Sequence, residues 1–235
     1  MTYQDIHPAV FLARPNRFIA QVEVDGREET VHVKNTGRCR ELLVPGCTVY
    51  LEGSANPQRK TKYDLVAVEK ARPGRPPLLI NMDAQVPNRV FGEWMAAGLG
   101  AGLGLPRPTL LRPETTWGNS RFDFYYECSE RKGFVEVKGC TLEENGLALF
   151  PDAPTQRGVK HLRELIACRE AGLEAAVCVV IQMAGMTAFS PNDRTHPEFG
   201  AALREAARAG VRVLAVECAV TPERLAMIRP VPVKL

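Results

Sequence analysis

Long apolar runs are missing from this 235-residue chain. No stretch approaches the ~20 residues needed to cross a bilayer as a helix. The start, Met1-Thr-Tyr-Gln-Asp, has neither a basic region nor an apolar core, so no secretory signal is expected and the chain reads as cytoplasmic, with no membrane partner. The seven cysteines run from Cys39 to Cys218 and form no C-x-x-C pair. An odd, scattered set reads as reduced, mostly buried thiols, which excludes a disulfide or zinc framework. A P-loop glycine pattern, a G-x-S-x-G elbow, internal repeats and low-complexity tracts are also lacking. Hydrophobic content of 45% and charged content of 24% are those of a soluble globular chain able to bury a sizeable core.

Net charge is small, at +3, but it is unevenly placed. Residues 1–80 hold twelve Lys and Arg against nine Asp and Glu, whereas residues 81–235 balance. Within 58–75 six basic residues face two acidic ones, a patch that suits a polyanionic partner.

From Arg17 to about Met82 the pattern is β. Arg17–Val24, Glu29–Lys34, Thr48–Glu52, Tyr63–Glu69 and Leu78–Asn81 make five short strands, broken by Asp25-Gly26, Asn35-Thr36-Gly37 and Pro45-Gly46. Five strands over this length predict a small closed barrel of the OB type, which binds nucleic acid through a basic groove with aromatic platforms. Arg14, Arg17, Lys34, Asn35 and Arg38 are the candidate nucleic-acid contacts; Phe18 and Tyr63 read more readily as core. A division at residues 1–82 and 83–235 follows, with Asn81–Pro87 as the linker.

The second part alternates strand and helix. Pro87 opens a helix through Ala97, with Glu93 on its more polar side. Strands are predicted at Leu110–Thr116, Arg121–Cys128, Phe134–Leu142 and Leu147–Phe150. An amphipathic helix over Thr155–Glu170 follows, with Val159, Leu162, Leu165 and Ile166 inward and Arg157, Lys160, His161 and Glu164 outward. Arg157, Lys160 and His161 are candidate nucleic-acid contacts, with a solvated face carrying the Lys160–Glu164 pair as the plainer alternative. The apolar strand Glu174–Gln182, a helix over Pro197–Ala209 and a buried strand at Val211–Cys218 complete an α/β sandwich with a mixed sheet.

The chemistry concentrates in one hairpin. Ser120-Arg-Phe-Asp-Phe and Gly133-Phe-Val-Glu-Val-Lys-Gly-Cys flank the turn Glu130-Arg-Lys-Gly. Residues two apart on a strand share a face, so Glu136 and Lys138 project together while Val135 and Val137 point the other way. Asp123 placed across the hairpin brings two carboxylates and an ammonium together. Such a pair suits Mg²⁺ or Mn²⁺, which keeps waters and binds through one or two acids plus substrate phosphate. Lys138 is then suited to hold an attacking water or offset phosphoryl charge. An ordinary cross-face ion pair is the plainer alternative.

Phe11-Leu-x-Arg-x-Asn-Arg-Phe, Asn35-Thr-Gly-Arg-x-x-Glu-Leu-Leu-x-Pro-Gly, Ser120-Arg-Phe-Asp-Phe, Val135-Glu-Val-Lys and Leu147-Ala-Leu-Phe-Pro-Asp-Ala-Pro-Thr-x-Arg-Gly-x-Lys-His-Leu-Arg-Glu-Leu together resemble the sugar fermentation stimulation protein family, from about residue 10 to 220. The resemblance implies an OB-like, DNA-associated first domain and a second domain similar to PD-(D/E)xK nucleases. It implies Asp123 and Glu136 as metal-binding acids, Lys138 as catalytic lysine and Glu93 as the helix acid, with DNA favoured over RNA. It leaves open a non-catalytic DNA-binding regulator on a nuclease-like scaffold. Two positions depart from the pattern: Phe122 stands where the nucleases carry proline, and Gly139-Cys140 follow Lys138.

Overall fold

Alternating strands at the start of the chain close into a ring. In the computed structural model, which describes residues 1–35, 37–129 and 131–235, β1 (Ile6–Ala13), β2 (Ile19–Val24), β3 (Arg27–Val33), β4 (Thr48–Gly53), β5 (Tyr63–Arg72) and β6 (Arg75–Asn81) follow one another. Their order is β3-β2-β1-β4-β5-β6, and β3 also pairs in parallel with β5 through His32↔Asp64 and Val33↔Leu65. That pairing seals a five-stranded barrel of β1 to β5, the OB solution. Ala20, Val22, Val31, Val49 and Leu51 are fully buried, as are Leu65 through Val68 of β5, which alternate between the barrel interior and its covered outer side.

The strand count was legible and one member was not. The fifth expected strand, Leu78–Asn81, is β6, which hydrogen-bonds to β5 outside the ring. The fifth barrel strand is β1, whose sequence Ile-His-Pro-Ala-Val-Phe-Leu-Ala lacks clean alternation and carries Pro8. Pro8 lies opposite Tyr50 of β4, and the pairs with β2 begin only at Val10, so the missing N–H falls where one side of the strand is unpaired. Thr36, within the expected break at Asn35-Thr36-Gly37, lies outside the described residues.

By their contacts the residues form two units. One comprises residues 1–86, 182–184 and 218–226, and the other residues 87–181, 185–217 and 227–235. The first therefore takes in two late excursions of the chain that a single cut at 82/83 does not capture.

The second unit begins with α1 (Val86–Ala96) and is built on β7 (Leu110–Trp117), β8 (Ser120–Cys128), β9 (Arg131–Cys140), β10 (Leu142–Glu144) and β11 (Leu147–Phe150). It continues through α2 (Gln156–Glu170), β12 (Glu174–Ile181), β13 (Ala188–Pro191), α3 (Pro197–Arg208), β14 (Arg212–Thr221) and β15 (Arg224–Pro230). The main sheet has the order β15-β14-β12-β9-β8-β7, with β9, β12 and β14 parallel and β8 antiparallel to β9. A small sheet β10-β11-β13 stands apart from it. As its apolar run requires, β12 is central, and Ala175 through Ile181 are all buried. Gly133 lets β12 start close to β9, because a Cβ there would lie 2.3 Å from the Glu174 carbonyl oxygen.

The hairpin turn is tighter than its composition suggests. The β8–β9 ladder runs on to Cys128↔Arg131, so Arg131, Lys132 and Gly133 are strand residues. Glu130, expected in the turn, lies outside the described residues. On α2 the Thr155 hydroxyl caps the N-terminus by accepting the Gly158 N–H at 3.1 Å. Val159, Leu162 and Leu165 are buried as expected, and the helix packs on β12, β9 and β8. Among the described residues no helix is long and apolar enough to cross a membrane.

Candidate active site

The site grows out of a place where the strand ladder gives way. The final β8–β9 pair is Phe124↔Val135, one residue short of Asp123 and Glu136. The Val137 N–H donates instead to Asp123 Oδ2 at 2.7 Å. The carboxylate thus takes the role of a strand carbonyl and is pinned by the backbone. Asn88 of α1 fixes the other oxygen, its Nδ2 donating to Asp123 Oδ1 at 2.8 Å.

Glu136 is 2% exposed, so its strand face is covered rather than half open. Its Oε1 receives the Lys138 ammonium at 2.5 Å and meets His161 Nδ1 of α2 in a short contact. Its Oε2 is buried and has no hydrogen-bond partner among the described residues. Arg157 Nε donates to the far ring nitrogen of His161, Nε2, at 3.4 Å, so that nitrogen accepts and Nδ1 carries the proton toward Glu136.

The two acids are pushed in opposite directions. Burial, reinforced by the charge on Glu136, raises the Asp123 carboxyl above its ordinary range; the Val137 N–H and Asn88 offset only part of this. Burial also acts to raise Glu136, but His161 and Lys138 outweigh it and hold that carboxyl below its usual value.

A buried carboxylate oxygen without a donor, beside a second carboxylate with an upward-shifted pKa, is a site short of positive charge. Among the described residues no group of three or more His, Cys, Asp or Glu could hold a metal ion. An ion held here would have only the Asp123 and Glu136 carboxylates as side-chain ligands, a donor chemistry that fits a hard ion completing its shell with water and does not fit a soft metal in an all-protein cage.

Other expected site residues fall elsewhere. His161, assigned to the outer face of α2, is buried against Glu136. Its position was readable, since Gly158, His161, Leu162 and Leu165 follow the i, i+3, i+4, i+7 rule and all four are buried. Glu93 is half exposed and lies 3.4 Å from Arg89; the α1 side chain that binds Asp123 is Asn88. Asn88 shares a helix face with Phe91, Gly92 and Met95, the only sequence signal for it. Arg157 and Lys160 are exposed on α2, with Lys160 Nζ donating to the Asn119 carbonyl at 2.7 Å.

In the barrel unit the expected basic contacts split. Arg14 is a clamp: its guanidinium donates to the carbonyls of Arg38, Arg17 and Asn35 at 2.7, 2.8 and 2.6 Å. Lys34 is surrounded by Glu52, Asp64 and Asp83 at 3.0, 3.4 and 3.5 Å. The Lys34 charge is met by carboxylates, whereas the Arg14 donors are taken up by backbone carbonyls. Asn35 accepts the Gly37 N–H at 2.8 Å, shaping the turn. Arg17 and Arg38 are exposed, and Phe18, read as core, is 52% exposed beside Arg17. Tyr63 is half-buried, edge-on to His7. The 58–75 patch is weaker than its count, because Arg59 pairs with Asp64 and Lys62 with Glu29.

A five-stranded OB barrel followed by an α/β unit, with two acids and a lysine meeting on one hairpin, defines a two-domain class of protein. Residues 12–76 match the family model described as the SfsA N-terminal OB domain, and residues 85–224 match the sugar fermentation stimulation protein RE domain. The chain belongs to the sugar fermentation stimulation protein family. It is 54% identical over 235 residues to a homologue from Desulfitobacterium hafniense (strain Y51), covering 100% of this chain and 99% of that one. A homologue from Clostridium beijerinckii is 52% identical, with 96% of each chain covered. The solved structure of Pyrococcus furiosus SfsA in complex with Ca²⁺ superimposes with a TM-score of 0.86 at 29% identity, covering 100% of this chain and 98% of that one.

Proposed function

We propose that this protein binds DNA and hydrolyses phosphodiester bonds at the Asp123/Glu136/Lys138 site with the help of Mg²⁺ or Mn²⁺. The observation that carries the reading is the buried, partnerless Oε2 of Glu136 next to Asp123. Asp123 and Glu136 would hold the ion, in line with the two-carboxylate donor set. The Pyrococcus relative was solved in complex with Ca²⁺, which supports a divalent cation in this fold. Once bound, such an ion lowers the pKa of a water and offsets charge on a phosphoryl oxygen.

The chain's own groups do the rest. Val137 and Asn88 fix the Asp123 carboxylate, leaving its remaining lone pairs directed by the backbone. His161 and Lys138 fix Glu136 through one oxygen, which leaves the other available. Lys138 places its ammonium beside the acids, where it can hold the attacking water or meet the negative charge that grows on the phosphate. The exposed Arg17, Phe18 and Arg38 would supply phosphate and stacking contacts for the strand. Arg157 and Lys160 would add phosphate contacts near the site.

Purified protein with Mg²⁺ or Mn²⁺ should cleave at least one of single-stranded, double-stranded or branched DNA. Asp123→Ala and Lys138→Ala should lower the rate by about 10²-fold or more. Cleavage equal to that of Asp123→Ala on every substrate overturns the reading. Salt-dependent DNA binding without cleavage would then point to a regulator that keeps the fold as a scaffold.

A further inference from the structure

A second charged cluster lies on the same sheet, at the starts of its parallel strands. Arg131 opens β9, Glu174 opens β12 and Arg212 opens β14, while Arg169 comes from the last turn of α2. Glu174 pairs in register with Gly133, five residues before Lys138 on β9. At ~3.3 Å per residue that is roughly 16 Å from the proposed hydrolytic site.

All three guanidiniums converge on one carboxylate oxygen. Arg212 makes a short contact to Glu174 Oε2, with Arg131 at 3.5 Å and Arg169 at 3.9 Å. Each is also held in place: Arg131 donates to the Gly104 carbonyl at 3.3 Å and Arg169 to the Leu173 carbonyl at 2.9 Å. Arg212 passes so close to Gly104 that a Cβ there would lie 2.8 Å from its Nε. Among the described residues the cluster therefore carries three positive charges against one negative.

Two buried donors in this cluster have no acceptor. Arg169 Nε is shielded from solvent and has no hydrogen-bond partner among the described residues. Tyr126, 1% exposed, buries a hydroxyl that also lacks one. Tyr126 pairs in register with Gly133 on β9, and Gly133 with Glu174 on β12, so the three positions lie side by side across the sheet and share its face. One carboxylate balances the charge of one guanidinium, so three around Glu174 leave a surplus. The surplus charge and the two idle donors are what an oxyanion would satisfy, since guanidinium forks match phosphate oxygens.

We propose that Arg131, Arg169 and Arg212, with the Tyr126 hydroxyl as a further donor, form an oxyanion site for a phosphate monoester at the starts of β9, β12 and β14. Glu174 acts there as the internal counter-ion that keeps the three guanidiniums together when the site is empty. The bound group is either the phosphate of a small molecule or the terminal phosphate of a strand.

The test is a calorimetric titration of the full chain with inorganic phosphate against chloride at matched ionic strength. Saturable phosphate binding is expected in wild type. Arg131→Gln and Arg169→Gln should each weaken it about tenfold, and Tyr126→Phe about threefold, as expected for loss of charge-assisted and neutral donors. Thermal melts of the same samples show whether each variant is folded; Arg131→Gln, at an exposed strand start, and Tyr126→Phe, which loses one oxygen, serve if Arg169→Gln does not fold. Tighter binding of a nucleoside 5′-monophosphate than of phosphate supports a small-molecule source. A gain for a 5′-phosphorylated over an unphosphorylated oligonucleotide, lost in Arg131→Gln, supports a strand end. No saturable phosphate binding in wild type, or binding unchanged in the folded variants, overturns the proposal. None of these readouts requires cleavage, so they stand apart from the fate of the hydrolytic site.

Discussion

Two buried clusters in this protein use the same ingredients, carboxylates and a lysine, and reach opposite ends. In the barrel unit, Asp64 receives both guanidinium nitrogens of Arg59 at 2.6 and 2.9 Å, His32 Nδ1 at 2.9 Å and the Lys34 ammonium at 3.4 Å. Asp83 and Asn81 continue the network through Tyr3 and Gln182, with Gln182 Nε2 donating to Asn81 at 2.9 Å. Burial acts to raise the Asp64 carboxyl, but Arg59 and His32 hold it down at about 2. On the β8–β9 hairpin, Asp123 has fewer charged donors, its carboxyl is raised, and Glu136 keeps an oxygen with no partner. A saturated cluster is a fastener. An unsaturated one, held rigid by its neighbours, is a place to bind something.

The largest expected effect that separates them is on chemistry. Asp123→Ala should abolish metal-dependent cleavage while Asp64→Ala leaves the rate constant of folded protein within about twofold, because only the first touches the proposed ion. Stability should respond in reverse. Asp64→Ala leaves Arg59 and His32 without their carboxylate and Lys34 with only Glu52 and Asp83, and should lower unfolding free energy by about 3 kcal/mol in denaturant titrations.

The pH dependence carries opposite signs at Asp64 and Asp123. Asp64 has a folded pKa below its unfolded value, so its contribution is present above about pH 4 and is lost as pH falls toward 2. That amounts to about 2 kcal/mol, and acid unfolding of Asp64→Asn should lack it. Asp123 has a folded pKa above its unfolded value, so in metal-free protein its contribution is full at low pH and is lost as pH rises through the folded pKa. Asp123→Asn should therefore stabilise the metal-free protein at neutral pH, as a melt in chelator would show. By the same linkage, divalent-ion affinity should fall as pH drops into the range where Asp123 is protonated.

Smaller effects sharpen the comparison. Asn88→Ala removes one donor from ionised Asp123, so the pH midpoint for metal binding should move upward by less than about one unit. In the barrel, Arg17→Ala and Arg38→Ala should each weaken DNA binding and reduce the salt slope by about 0.7 to 0.9. Lys34→Ala should leave the slope unchanged, its ammonium being committed to three carboxylates.

These differences mark what the sequence could show. Period-two alternation and the Glu-x-Lys spacing made the barrel and the Glu136/Lys138 face readable, since both depend on neighbours along the chain. Strand β1 was hidden because Pro8 breaks the pattern yet sits where no donor is required. Charge counts along residues 1–80 could not reveal that Lys34 spends its charge internally, because its partners Glu52, Asp64 and Asp83 lie far along the chain, whereas the Arg59–Asp64 pair lay within the 58–75 window itself. His161 was assigned by polarity when helical period placed it inward. Asn88 carried only a face position, with nothing local to indicate Asp123.

The most direct measurement is calorimetric titration of Mn²⁺ into wild-type protein and Glu136→Gln at neutral pH, each checked for folding by thermal melt. Binding is expected in wild type, and Glu136→Gln should lose it while remaining folded. Equal binding in both, or none in wild type, would contradict the claim that the open oxygen of Glu136 is a metal ligand.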